Sequence, residues 1–441
     1  MGKPEKLLNK NFFLLWQGQA VSKLGSQVFS IAMILWIIEV TGSATIMGLL
    51  MMMSSIPALI LGPIGGAFAD RHSRRLIIIF CDVLNGVAVL TFAAVVYFFP
   101  EKTKLNLIWL FAISISISII NSFFFPAISA SIPEIVPKKK LSGANTMSQL
   151  SMQISVLIGQ GLGGVFYKLL GGPLIFLING ITYLFSATSE SFITIPQKII
   201  KSDGNWKKQL IDFKNDIVEG LRYIWQKKGL RELLIISAIM NFFITPVILL
   251  FPFYVEKFLN LGDDWQKWFG FLIATYGVGT MLGYVSASVT NFPGKIRGRL
   301  MIIFIVLESS IYAALGLASG PIAVMILALT AGILNGYTGV NILTILQFTT
   351  PSEIRGRVFG LLGTMVGVIS PVAMGLSGVI ADLLNQNIPL IYQICGITLA
   401  TLSILIALNK NYRAFLTLEP EEEIVEAPDK QGLEMPVGVL G

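Results

Sequence analysis

Apolar residues run along this chain in blocks of about 20, the length an α-helix needs to cross a hydrocarbon core, and polar residues collect between the blocks. Read by that length, the spans fall at 12–38, 45–69, 76–99, 106–131, 142–168 and 173–195, then at 232–256, 266–290, 299–319, 321–347, 357–383 and 388–408. The first run lacks a small-residue cleavage site and reads as a membrane helix, not a removed leader. The expected fold is therefore an all-α membrane protein of twelve transmembrane helices.

Composition sharpens this picture. Only 13% of the 441 residues are charged and 54% are apolar, against about 25% charged in soluble chains, so too few charges exist to wet the surfaces of a soluble protein this long. Lipid is the expected solvent. The net charge of +7 does not point to nucleic acid, because the basic residues are sorted by loop. With the N-terminus inside, 26 of the 32 Lys and Arg fall in inside segments and five in outside segments, while Lys23 lies within a span. That bias is the positive-inside pattern, with both termini cytoplasmic.

The polar stretch 196–231 divides the spans six and six. The expected organisation is a cytoplasmic N-terminus (1–11), an N-terminal six-helix bundle (12–195), a linker (196–231), a C-terminal bundle (232–408) and an acidic, disordered cytoplasmic tail (409–441). In the linker, Phe213, Ile217, Leu221 and Ile224 recur at helical spacing among basic residues, which fits either an amphipathic surface helix or a solvated one. The halves echo each other: Asn121 and Asn335 are 214 residues apart, as are Gly164-Val165-Phe166 and Gly378-Val379-Ile380. Duplicated six-helix halves rocking about a shared midplane site are a transporter design.

Chemistry is sparse. Cys81 and Cys395 lie in apolar runs and His72 is the one histidine, so no nucleophile–base constellation and no metal-ligand spacing is present, and no cofactor or metal is expected. No G-x-x-x-x-G-K-[ST] loop occurs to bind ATP. Charges inside spans are functional candidates by default. Asp82 in span 3, Glu308 in span 9, Glu190 near the inside end of span 6 and Lys23 in span 1 are the candidates for proton coupling. For Asp82 and Glu308 a structural hydrogen bond or ion pair is the competing reading, and Glu190 would also reach water. Gln17, Gln19, Asn145, Gln149, Gln153, Asn241, Asn335 and Asn341 would line a polar cavity, with interhelical hydrogen bonding as the alternative.

The loop after span 2 reads Gly66-Ala67-Phe68-Ala69-Asp70-Arg71-His72-Ser73-Arg74-Arg75. Gly66 would admit a neighbouring backbone, Asp70 would face a helix N-terminus, with span 11 after Arg355-Gly356-Arg357 as its natural partner, and Arg71, Arg74 and Arg75 would close a charge network at a cytoplasmic gate. This stretch resembles the signature loop of the major facilitator superfamily, with Ser73 where that signature has its second glycine. Ser22-Lys23-Leu24-Gly25, Thr41-Gly42-Ser43-Ala44, Pro133-Glu134-Ile135-Val136-Pro137 and Arg355-Gly356-Arg357-Val358 resemble the macrolide-efflux and siderophore-exporter branch of its drug:proton antiporters. So does Gly159-Gln160-Gly161-Leu162-Gly163-Gly164, similar to the span 5 antiporter motif with Gln160 in place of proline. The resemblance implies two pseudo-two-fold-related six-helix bundles in a bacterial inner membrane. It implies a monomer that exports amphipathic small molecules by alternating access against protons. Uptake or facilitated diffusion of another small molecule is the alternative; a membrane-embedded enzyme fits less well.

Overall fold

The computed structural model describes residues 6–197, 218–219, 221–290 and 292–419, without the side chains of 352–357, 362 and 364–366. The expected features at Phe213, Ile217 and 420–441, and the side chains of Arg355 and Arg357, lie outside the described residues.

Twelve helical spans are present among the described residues. In the first half they are Lys10–Thr41, Ala44–Arg71, Arg74–Phe98, Thr103–Ile135, Leu141–Leu170 and Gly172–Ser191. In the second half span 7 is Lys228–Leu249, prolonged by Phe251–Phe258, and the rest are Trp265–Val289, Gly294–Leu315, Pro321–Thr349, Ser352–Leu383 and Ile388–Ala407. Span 7 is broken where the apolar run gave one continuous helix, because Pro252 opens a new first turn after Leu250. Spans 1, 4, 7 and 11 overrun their apolar blocks most, since helix caps need polar side chains that a hydropathy reading trims away, while spans 6 and 9 stop at Ser191 and Leu315, short of theirs. Ser43 caps span 2 by accepting from the Ile46 N–H at 3.3 Å, and Ser73 caps span 3 by accepting from Leu76. Gly42, at φ 59°, makes the left-handed turn between spans 1 and 2.

The basic loops of both halves gather at one end, here called the basic face: Arg71, Arg74, Arg75 and Lys138–Lys140 from one half, Lys295, Arg297 and Arg299 from the other. Toward the opposite face the halves meet along two seams, span 2 on span 11 and span 5 on span 8. Glycine permits both. A Cβ on Gly48 would stand 2.5 Å from the Met374 carbonyl, on Gly378 2.3 Å from that of Ala44, and on Gly164 1.8 Å from that of Gln266. Within the second half, Gly279 and Gly283 of span 8 interlock with Gly332 and Gly336 of span 10, backbone on backbone.

The apolar cores report the same asymmetry. One buried cluster runs through both halves, joining Leu35, Phe92 and Phe176 to Phe253, Leu272 and Tyr392. Among the described residues, the basic face has two clusters instead: Phe12, Ile78 and Ile135 in the first half, Leu234, Met301 and Ile345 in the second. The halves are sealed at the opposite face and part toward the basic one.

Candidate functional site

Three spans bring a buried carboxyl pair together in the first half. Asp82 of span 3 and Glu190 of span 6 are both 0% exposed and close enough to interact directly. Gln19 of span 1, 6% exposed, donates through Nε2 to Glu190 Oε1 at 2.8 Å. Ser186, one turn before Glu190, also approaches both carboxyls, but its hydroxyl donates to Glu190 Oε1 at 3.4 Å. Neither Asp82 oxygen has a donor at bonding distance, and Glu190 Oε2, Gln19 Oε1 and Asn85 Oδ1 are equally unmet. Asn85, a turn after Asp82, spends its amide on Asn121 of span 4 at 3.2 Å. The pocket thus holds five buried acceptor oxygens without a donor, a costly arrangement unless a proton or cation fills it.

Glu308 sits in a different setting. Its Oε1 accepts from the Tyr312 hydroxyl at 2.6 Å and from Asn335 Nδ2 at 3.0 Å. Asn121 and Asn335, equivalent by the 214-residue offset, therefore both adjoin a carboxylate-bearing span, but only Glu308 is supplied with donors. Lys23 is half-buried and forms no ion pair among the described residues.

The other polar candidates divide. Gln17 donates to Ser189 of span 6 at 3.1 Å, Asn241 accepts from Ser370 at 2.7 Å, and Asn341 donates to the Tyr337 carbonyl of its own helix at 2.8 Å. With Gln19 and Asn335 these are interhelical or intrahelical bonds. Asn145, Gln149 and Gln153 stand exposed on span 5, a polar stripe available to a ligand.

In the loop after span 2, Arg74 pairs with Asp70 at 3.0 Å and approaches Glu134 at 3.8 Å. It also donates to the Ala130 carbonyl at 2.9 Å. Arg75 donates to the Ser191 carbonyl, and His72 stacks on Phe68 with centroids 3.9 Å apart. These contacts all join elements of the first half. Asp70 itself is 59% exposed. Gly66 meets nothing within 4 Å; it is Gly65 that admits a neighbour, the Ser122 carbonyl of span 4. The span 5 glycines serve two partners: Gly159 and Gly163 lie on Gln27 and Ile31 of span 1, while Gly161 and Gly164 lie on Ala274 and Gln266 of span 8. Gln160 donates to Gln27 at 3.3 Å.

The polar contacts between the halves were missed from sequence. At the opposite face Asp382, the last acidic residue of span 11, accepts from Ser43 Oγ at 2.7 Å and from the Ala44 and Thr45 N–H groups at 3.1 and 2.9 Å. Glu39 accepts from Gln266 across the seam at 3.0 Å and, within its own half, from Tyr167 at 2.6 Å. Lys168 pairs with Asp264 at 2.7 Å. A signal for Asp382 was present: Gly378-Val379-Ile380-Ala381-Asp382 repeats the G-x-x-x-D order of Gly66 to Asp70.

Comparison with known proteins agrees with this architecture. The chain is similar to macrolide efflux protein A of Streptococcus pyogenes, 26% identical over 85% of this chain and 90% of that one. It is also similar to the multidrug efflux pump Tap of Mycolicibacterium fortuitum, 23% identical over 78% of this chain and 83% of that one. Among solved structures, the nucleoside transporter NupG superposes with a TM-score of 0.65 at 15% identity, over 92% of this chain and 99% of that one. A D-xylose–proton symporter does so at 0.64 and 14%, over 90% and 97%. The profile described as Major Facilitator Superfamily matches residues 15–374. With its twelve spans in two bundles, this chain belongs to the Major Facilitator Superfamily.

Proposed function

We propose that this transporter exports amphipathic small molecules from the cytoplasm by alternating access, exchanging them for protons across a bacterial inner membrane. The observation that carries the reading is the asymmetry of the two faces, with one continuous apolar core at the opposite face and two separate cores at the basic face. A rocking pair of bundles has that form when its chamber opens to one side. The basic face is the cytoplasmic one by its excess of Lys and Arg, so the chamber opens inward and both termini lie inside. Similarity to a macrolide efflux protein and a multidrug efflux pump supports the export direction, and the protein works as a monomer.

The proton rides on the Asp82–Glu190 pair. A pocket of acceptors lacks a donor, and a proton held between the two carboxyls supplies it. Gln19 connects this pair to span 1, so a ligand that shifts span 1 alters the environment of Glu190. Glu308, already met by two donors, serves as a fixed anchor of the second bundle. Gly66, Asp70, Arg71, Arg74 and Arg75 form the half-gate that closes the basic face in the other state.

The test uses inverted membrane vesicles loaded with a pH dye and made acid inside. Adding a transported amphipathic compound should alkalinise the lumen, and Asp82→Asn should abolish that response. A compound that accumulates with no proton movement would remove the antiport reading.

A further inference from the structure

Spans 2 and 11 lie antiparallel across the seam, so the N-terminus of span 2 meets the C-terminus of span 11 at the opposite face. Each of these helices ends in G-x-x-x-D, Gly66 to Asp70 in span 2 and Gly378 to Asp382 in span 11. The two copies are in opposite conditions. Gly378 lies against the backbone of Ala44 and Thr45, and Asp382 gathers the Ser43 hydroxyl with the Ala44 and Thr45 N–H groups. Gly66 meets nothing within 4 Å, and Asp70 is 59% exposed.

We infer that Asp382 is the latch of the opposite face: its carboxylate, by capping the N-terminus of span 2, holds the exit closed until the halves rock. An Asp at this position suits the task because it satisfies three donors and complements the positive helix end. The tight Gly42 turn leaves those donors pointing out of the first bundle. Gln386 completes the latch, donating to Asp382 Oδ1 at 2.7 Å and to the Gly42 carbonyl at 2.6 Å, while accepting from Lys257. To reach there the chain holds Asn385 and Gln386 at φ 51° and 55°, a left-handed pair without glycine that contacts must hold in place. Glycine at Gly378 makes the approach possible, since a side chain would displace the Ala44 carbonyl.

The latch rests on the alternating-access reading, and its test therefore reads conformation directly, without substrate or protons. Spin labels go on Glu101→Cys and Leu317→Cys, exposed on opposite halves of this face; the native Cys81 and Cys395 are buried. The full-length protein in nanodiscs should show one short distance. Asp382→Ala should shift the open-to-closed ratio by about fivefold, the usual effect of losing a helix cap, and Asp382→Glu should recover part of it. Ser43→Ala, a milder change at the same contact, should move the ratio in the same direction by less, which keeps the test open should Asp382→Ala not fold. An unchanged distribution in both variants overturns the latch, as does an equal lengthening in Asp70→Ala, which would mean general loosening.

Discussion

Gln19 Nε2 donates to Glu190 Oε1 at 2.8 Å, while Asp82, flanked by Ser186 and Glu190, has neither oxygen met by a donor in hydrogen-bond geometry. That pairing ties span 1 to a buried acid pair. It also separates the two bundles chemically: the first holds a pocket short of donors, the second a carboxylate whose Oε1 accepts from both Tyr312 and Asn335.

The difference has an unusual consequence for stability. Asp82→Asn brings an NH₂ group into a pocket of unmet oxygens, so it should stabilise the fold by about 1 kcal/mol, the net worth of a new buried hydrogen bond, while proton-coupled transport is lost. Glu308→Ala removes the acceptor of two buried donors and should destabilise by roughly 2 kcal/mol. Thermal unfolding of the purified variants in detergent reads both signs.

Coupling should follow Gln19. Gln19→Leu leaves Glu190 with Asp82 and the weaker Ser186 contact, and compound binding should survive while compound-triggered proton release falls by about tenfold, the scale of a lost hydrogen bond to a charged or titrating group. Equilibrium binding of a fluorescent ligand alongside the vesicle assay separates the two effects.

Closure at the opposite face should depend on two glycines and not on a third. Gly164→Val would drive a side chain into the Gln266 backbone and Gly378→Val into that of Ala44, whereas Gly62→Val meets open space. The first two should abolish transport in protein that still reaches the membrane, and the third should leave it near normal. Transport normalised to membrane protein amount is the measurement.

The Lys168–Asp264 contact sets a pH expectation. Hydrogen bonds from Lys168 and then Lys267 hold the Asp264 carboxyl below its ordinary value of 3.8. A depressed acid contributes above its ordinary range and loses that contribution as pH falls through the lowered value. Spin-label distances across this face should therefore be flat from pH 8 to 5 (an interval in which an Asp of ordinary pKa near 3.9 is already ionised). Any lengthening from this pair should appear only in stronger acid. A transition near neutrality would assign the titration to other groups.

Much of the fold was legible because lipid imposes a simple rule: apolar blocks of fixed length, with basic residues sorted by loop. Asp82 and Glu308 stood out as charges inside such blocks. Their neighbours did not, because depth along a helix says nothing of rotation about it. Glu190, five residues from the end of its apolar block, read as a residue able to reach water, yet it is fully buried under Gln19. Gly66 was expected to take the close approach that Gly65 takes, a difference of 100° around the helix. The seam at the opposite face was hidden for another reason: Ser43, Asp382 and Gln386 are each ordinary cap residues alone, and only the antiparallel placement of spans 2 and 11 joins residues more than 330 positions apart.

The central claim is that the halves move against each other about the seams closed at the opposite face. Lys168→Cys and Asp264→Cys, bridged by a short cleavable bifunctional thiol reagent, pin the span 5–span 8 seam shut. The bridged protein should still bind ligand from the basic side, its transport should fall to background, and cleaving the bridge should restore it. Transport that continues at full rate through the bridged protein would contradict the account.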